Sequence, residues 1–421
     1  MHTLATTVAP ALDEDDLARV SDAIAFARPS GEPVQWLVDV TQIASSDIGT
    51  GIQRVVRSIL GHWLETPPPH VRIEPVAFVE GRYRYARRYA LGLLGLKPDA
   101  LSDELVDARP GDIYIGLDWT AETLPASEPQ LREWHRLGVS MHFVINDLLP
   151  VSMPEAFHPY ARALFAGWLR RVCTLADRLH CISRATAAEL AAWLTGADLP
   201  FQFGRVPSID SFPLGVEISR RNTSPSSLPP DLAQAAAVRP TLLMVGTLEP
   251  RKGHAQALDA VEQLWTRGQD LNLVIVGHHG WLVESLVRRL ESHPERNQRL
   301  FWLDQADDGM LASIYGVTTA LLAPSFGEGY GLPLVEAAHR QLPVIARDLP
   351  VFREVMGDYP SYFTAATPPE LADAIATWLA NRPISGAPQH WPSWRESAAA
   401  LARAVGSDGR RIAKTGVQTI V

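Results

Sequence analysis

Hydrophobic positions in this chain fall in short, bounded runs that alternate with segments of helical period. From Val34 onward the order is "VQWLVDVTQI", "IQRVVRSILGHWL", "GDIYIGLDW", "PQLREWHRLG", "VSMHFVINDLLP", "ARALFAGWLRRVCTLADR", "LHCIS" and "RATAAELAAWL". Short apolar runs predict buried strands, the periodic segments predict crossover helices, and their alternation predicts a parallel sheet. After "FPLGVE" the period stops. "ISRRNTSPSSLPPD" is rich in Ser, Pro and Asn and reads as an interdomain linker. The alternation restarts with "PTLLMVG", "HAQALDAVEQLWTRG", "LNLVIVG", "WLVESLVRRLESH", "RLFWL", "GMLASIYGV" and "ALLAPS". The pattern predicts an α/β protein of two doubly wound Rossmann-like domains facing across a cleft. The divisions are an N-terminal extension (1–33), a first domain (34–218), a linker (219–238), a second domain (239–388), and a C-terminal helix and tail (389–421). The loop "NRPISGAPQH" is long enough to carry the last helix, "WPSWRESAAALARAV", away from the second core, and that helix is expected to cross back to the first domain. In such sheets ligands bind beyond the carboxyl ends of the strands, so the cleft is the expected site.

Composition narrows the function without naming it. With 421 residues, 46% of them hydrophobic, the chain can bury two cores, and its net charge of −9 argues against a general nucleic-acid binder. Cys173 and Cys181, the two cysteines, have neither metal-ligand spacing nor a disulfide-rich context, which fits a reducing cytoplasm. No apolar stretch reaches membrane-spanning length. The acidic start "MHTLATTVAPALDEDDLARV" lacks the features of a signal peptide, so a cytoplasmic protein is expected, attached at most to a membrane surface.

The densest chemistry lies in "PSFGEGYGLPLVEAA", Pro324 to Ala338, where Glu328 and Glu336 flank a glycine loop with seven residues between them. A bounded apolar run precedes it and a proline suited to a first helical turn follows, so the stretch reads as strand, loop, helix. Gly327, Gly329 and Gly331 allow close approach to the main chain, and the helix start offers unpaired N–H groups to an anion. Carboxylates beside an anion site make sense when they face hydroxyls, and a phosphorylated sugar or nucleotide carries both groups. "VGTLEPRKGH" places Gly246 at a strand end and Arg251 and Lys252 in the following connection, where they could clamp a diphosphate. Taken alone, the pair also fits a solvated basic turn.

Other segments are weaker. "DIGTGIQRVVR" holds Gly49 and Gly51 in a phosphate-cradle-like turn, but Arg54 stands where a third glycine would complete the motif. Asp13-Glu14-Asp15 has the acid-x-acid spacing of a metal site, yet it lies outside any strand end and reads as helix-start acids. His254, His278 and His279 form no metal-ligand pattern, and contact with a ligand or a place in a polar loop both fit the pair after "LNLVIVG". "GRYRYARRYALGLLGLK", Gly81 to Lys97, fits either contact with anionic lipid head groups or a strand edge followed by a partly buried helix.

"FGEGYGLPLVEAA", supported by "VGTLEPRKGH", "LNLVIVG", "PVIARDLPVFREV", "ISRATAAEL" and "FPLGVE", resembles the retaining GT-B glycosyltransferases of family four, the group 1 glycosyltransferases. The resemblance spans nearly all of the chain after Gln35. "DIGTGIQRVVR" and "INDLLPVSMPEAF" are similar to bacterial mannosyl- or rhamnosyltransferases that build O-antigen and exopolysaccharide. The resemblance implies that Glu336 holds the ribose hydroxyls of a nucleotide and Glu328 faces the donor sugar. Arg251 and Lys252 would grip the diphosphate, aided by the N–H groups of Gly331 and Leu332 and by Gly246. Gly49 and Gly51 would face it from the first domain.

It further implies a metal-independent hexosyltransferase without cofactor, whose donor is a nucleotide-diphosphate sugar, GDP-mannose favoured. Its acceptor would be a growing, lipid-linked glycan. The leaving phosphate helps to remove the acceptor proton in this mechanism, which needs no dedicated general base. Many relatives carry His-Asp where this chain has Asn146-Asp147, so a histidine role is not carried over. Asn146 and Asp147 stand as acceptor-side candidates, with a loop-capping role for the aspartate equally open. A sugar phosphorylase, a nucleotide-sugar epimerase and a non-catalytic binding subunit are the alternatives. Retention of Glu328, Glu336, Arg251 and Lys252 argues against the last.

Overall fold

The computed structural model describes residues 33–47, 49–201, 206–216, 227–383, 385–386 and 390–407. Asp13-Glu14-Asp15, residues 219–226 of the linker and residues 408–421 of the tail lie outside the described residues.

The first domain carries β1 (Val34–Asp39), β2 (Val71–Val79), β3 (Arg82–Tyr85), β4 (Ile113–Gly116), β5 (Ser140–Ile145), β6 (Arg178–Cys181) and β7 (Ser208–Ser211). The second carries β8 (Thr241–Val245), β9 (Asn272–Val276), β10 (Leu300–Leu303), β11 (Ala320–Ala323), β12 (Val344–Arg347) and β13 (Ser361–Phe363). Helices that bear on the site are α1 (Gly51–Glu65), α2 (Arg184–Gly196), α3 (Pro230–Val238), α4 (His254–Thr266), α5 (Leu332–His339), α6 (Pro350–Met356) and α7 (Trp394–Gly406).

The sheet orders are β3-β2-β1-β4-β5-β6-β7 and β10-β9-β8-β11-β12-β13. Every pairing is parallel except β2 with β3. Strand order therefore reverses between β1 and β4 in one sheet and between β8 and β11 in the other. These reversals open a crevice at the carboxyl ends, where ligands of doubly wound sheets bind. The loops that leave β8 and β11 are those holding Arg251-Lys252 and Glu328.

The antiparallel pairing of β2 with β3 and the end of the linker differ from the sequence reading. β2 and β3 form an antiparallel hairpin at the sheet edge, turned by Glu80 and Gly81 with φ of 51° and 81°, the two positive angles that a tight hairpin turn requires. The segment Gly81–Lys97 is thus an edge strand followed by a helix, Arg87–Leu93. The stretch 219–238, read as linker, ends in α3. Pro230 and Asp231 suit its first turn, and Leu232 and Ala235, three apart, bury one face.

The C-terminal helix returns to the first domain. A capping box of Thr50 and Gln53 starts α1, whose Val56, Ile59, Leu60 and Trp63 are buried. Against that face α7 lays Trp394, Ala398, Leu401 and Val405, and the Trp63 indole N–H donates to the Ala398 carbonyl at 2.9 Å. Gly215 lets the crossing chain approach, because a Cβ there would lie 2.4 Å from the Trp394 backbone.

The domains meet along a continuous seam. Ser183 Oγ donates to the Gly329 carbonyl at 3.1 Å, and the Tyr330 hydroxyl donates to the Leu214 carbonyl at 2.8 Å. Trp281 Nε1 donates to the Ala156 carbonyl at 3.0 Å. Glu354, on α6, caps the start of α2 by accepting from the N–H groups of Arg184 and Ala185 at 2.7 and 2.8 Å. A carboxylate there satisfies orphan donors and meets the positive helix end.

Candidate functional site

Arg251 and Lys252 lie in a short 3-10 turn, Pro250–Lys252, that ends at Gly253 in the left-handed region, φ 73°. A Cβ on Gly253 would sit 2.6 Å from the Pro324 carbonyl, so this glycine lets the two loops touch. The Phe326 N–H donates to the Arg251 carbonyl at 2.7 Å. Beneath the loop, buried Arg347 donates to the Pro324 carbonyl and to Gln256 Oε1, and its guanidinium packs on the Phe326 ring. The loops therefore form one rigid wall rather than two independent turns.

Glu328 is the hub of that wall. It accepts from Lys252 Nζ at 2.6 Å, Arg251 Nη1 at 2.9 Å and Ser325 Oγ at 2.8 Å. Glu249 Oε2 lies 2.7 Å from Arg251 Nε on the other side, an ion pair poorly aligned for a hydrogen bond. Arg251 and Lys252 side chains are only 14% and 15% exposed, so the solvated-turn reading does not hold. Burial raises the Glu328 carboxyl, but Lys252 and Arg251 outweigh it and hold the group at about 2. Burial likewise raises Glu249, against the pull of Arg251.

These shifts give a pH signature. Because the folded protein holds Glu328 below its ordinary 4.5, the cluster stabilises the fold fully above that pH and loses its contribution as pH falls toward 2. Glu328→Gln should therefore show a shallower fall in melting temperature than the wild type between about pH 5 and about pH 3. Equal slopes would contradict the ion cluster.

Glu336 sits one wall over, on α5. Gly331, the N-cap of α5, has φ 102°, and a Cβ there would come 2.7 Å from the Phe352 ring. Only glycine fits, and it brings the Gly331–Leu332 end of the helix to the same crevice. Arg54 Nη1 bonds Glu336 Oε1 from the first domain, and the Tyr315 hydroxyl donates to Oε2 at 3.4 Å. Burial, then the adjacent Glu336 charge, raises Tyr315 well above the ordinary phenol range. Gly246, φ 139°, lies at the end of β8 with the Lys252 side chain 3.5 Å from where its Cβ would be.

The acceptor-side candidates reach the same place. They follow β5, and a Cβ on Gly329 would stand 2.3 Å from the Asn146 carbonyl and 3.1 Å from Asp147 Cβ. Asp147 Oδ1 also accepts from the Leu149 N–H at 3.0 Å, so the loop-capping role is present. Burial raises its carboxyl, Arg251 opposes the rise and Glu328 adds to it, which puts all three within electrostatic reach. Gly49 and Gly51 are exposed at the start of α1. Gly49 has φ 73°, and no contact of either with the Arg251 loop is present among the described residues.

His278 and His279 are exposed, and their backbone bridges to Leu248. His254 is buried at the start of α4, where burial and Lys252 lower it to about 3, so it is neutral at pH 7. Among the described residues no group of three or more His, Cys, Asp or Glu is arranged to hold a metal ion.

Sequence reasoning missed Glu249, Ser325, Tyr315 and Arg54 as site residues. Arg54 carried a signal in its place after the Gly49-x-Gly51 turn.

A crevice of this kind, with Rossmann-like walls and a Glu-bearing glycine loop against an Arg-Lys turn, defines a GT-B glycosyltransferase arrangement. Residues 234–391 match the family described as glycosyl transferases group 1. Serotype-specific mannosyltransferase WbdA of Escherichia coli is 38% identical over 398 residues, covering 92% of this chain and 48% of the relative. The chain thus spans about half the length of the curated relatives it matches over most of its own. Phosphatidyl-myo-inositol mannosyltransferase of Mycobacterium tuberculosis is 37% identical over 144 residues, 33% of this chain and 36% of that protein. Anabaena HepE, solved with UDP-glucose, shares the fold with a TM-score of 0.56 at 16% identity, over 90% of this chain and 98% of its own.

Proposed function

We propose that this protein transfers a hexose, mannose favoured, from a nucleotide-diphosphate sugar to a growing bacterial polysaccharide, with retention at the anomeric carbon and without a metal ion. The observation that carries the reading is the shared crevice, lined by Glu328 with its two cations, by Glu336 and by the α5 helix start, with Asp147 closing it from the other domain. Mannose is the favoured sugar because the relatives matched over most of the chain are named mannosyltransferases, and GDP-mannose is the donor proposed for it.

The division of labour follows from charge. Arg251, Lys252 and the N–H groups of Gly331 and Leu332 oppose the charge that grows on the leaving diphosphate, which makes electrostatic stabilisation the main contribution. Glu336 accepts from the ribose hydroxyls. Glu328, pinned by three donors, presents its ionised carboxylate to the transferring sugar. The acceptor hydroxyl enters beside Asp147, on the face from which the diphosphate departs, and its proton passes to a diphosphate oxygen. Holding donor and acceptor together supplies the rest.

No helix among the described residues is long and apolar enough to cross a membrane. A peripheral contact at the inner face of the cell membrane, with a lipid-linked acceptor, is part of the proposal. Leu96, Leu101 and Leu105, each about half exposed, flank the Arg87–Leu93 helix. Two cations there are already offset, Arg87 by Glu74 and Glu104 and Arg88 by Asp99, so the contact would be chiefly apolar.

Glu336→Ala is expected to weaken donor-nucleotide binding by about 1.5–3 kcal/mol, the range for hydrogen bonds to a charged group. Titration of GDP by calorimetry reads this directly. Unchanged affinity in a folded variant would remove Glu336 from the ribose.

A further inference from the structure

We propose that Arg54 is a donor-binding residue that exchanges partners: it holds Glu336 in an ion pair across the domains and passes to the diphosphate when the ribose takes Glu336. The inference deepens the donor-site reading above and rests on it.

The first observation is competition for one carboxylate. Both oxygens of Glu336 are engaged, Oε1 by Arg54 and Oε2 by Tyr315. The carboxylate is 9% exposed, whereas the Arg54 side chain reaching it is 40% exposed. A vicinal ribose diol needs those same oxygens, and the partner free to swing toward solvent is Arg54. Tyr315 is buried, with its ring beneath Arg340.

The second is charge balance. Arg54, Arg251 and Lys252 are each paired with one or more of Glu249, Glu328 and Glu336, and Asp147 lies close by, so these three cations are already balanced by carboxylates. A diphosphate entering such a site gains little unless a cation is released. Arg251 and Lys252 stay tied to Glu328, which the nucleotide does not claim. Arg54 alone among these pairs has a partner that the ribose claims. Once freed, its planar guanidinium matches two phosphate oxygens.

The third is position. Arg54 lies one turn into α1, directly after the Gly49-x-Gly51 turn and its Thr50 cap. The positive end of α1 therefore faces the same way, and an anion bound there meets the helix end and the guanidinium together. Because the phosphates are covalently joined to the ribose, the exchange replaces one contact between the domains with another. The seam is preserved while the donor is seated.

Calorimetric titration of GDP and of guanosine into the wild type, Arg54→Ala and Arg54→Lys tests this, with circular dichroism to confirm folding. Arg54→Ala should raise the Kd for GDP at least about tenfold while the Kd for guanosine stays the same or falls, because Glu336 is no longer contested. Arg54→Lys should lie between for GDP, since it keeps the charge and loses the fork. Equal weakening of GDP and guanosine would make Arg54 a mere tie between domains and overturn the inference. So would a GDP affinity indifferent to Arg54→Ala in a wild type that binds GDP. A wild type that binds none of GDP, UDP and dTDP would overturn the donor-site reading and this inference with it.

Discussion

Replacing Arg251 and Lys252 together with alanine is expected to abolish sugar transfer, lowering turnover by at least about a thousandfold, since one lost stabiliser of developing charge already costs about 100- to 1,000-fold. Nucleoside-diphosphate binding should fall with it. The same change strips Glu328 of both cations and leaves only Ser325 Oγ, and breaking a buried pair this way costs about 3–5 kcal/mol. Adding Glu328→Gln removes one of the two stranded charges and should recover part of the lost melting temperature, while Glu249, also left without Arg251, stays buried and unpaired. Nucleoside-diphosphate binding, which does not draw on Glu328, should stay lost in this triple variant. Near-normal transfer by the folded double variant would mean that the diphosphate is held elsewhere.

Gly329→Ala should be nearly as damaging, by a different route. An added Cβ there would meet the Asn146 carbonyl at 2.3 Å, and that atom is backbone at the end of a central strand. Neither side can yield without parting the seam that Ser183 closes through the Gly329 carbonyl. The variant is expected to keep two folded domains, expand in small-angle scattering and lose transfer by about 100-fold, the order that a 1 Å misplacement of reacting groups costs. Wild-type dimensions together with wild-type activity would show that the two loops need not meet.

Much of this was legible because the chemistry is local. Gly246, Arg251-Lys252, Glu328, Gly331 and Glu336 all follow strands read from short apolar runs, and a doubly wound sheet delivers such loops to one edge. What escaped was set by distance along the chain. Arg54 and Glu336 are 282 residues apart, and nothing in either local pattern announces the other. Glu249 stood within a segment singled out for its cations, yet its role appears only once Arg251 is buried between two carboxylates. The β2–β3 hairpin was missed partly because Pro75 lies inside β2 and weakens its reading as a strand that pairs on both sides. α3 hid in the linker because its buried face has only two apolar positions, Leu232 and Ala235.

The central claim is that this crevice carries out retaining transfer from a nucleotide sugar with its own cations. One measurement bears on it most directly: incubation with GDP-mannose and a mannose-terminated oligosaccharide in the presence of EDTA, with the anomeric configuration of the new linkage read by NMR. The account predicts transfer that survives chelation and an α-linked product from the α-configured donor. A β-linked product, or activity lost to EDTA and restored by added Mg²⁺ or Mn²⁺, would contradict it.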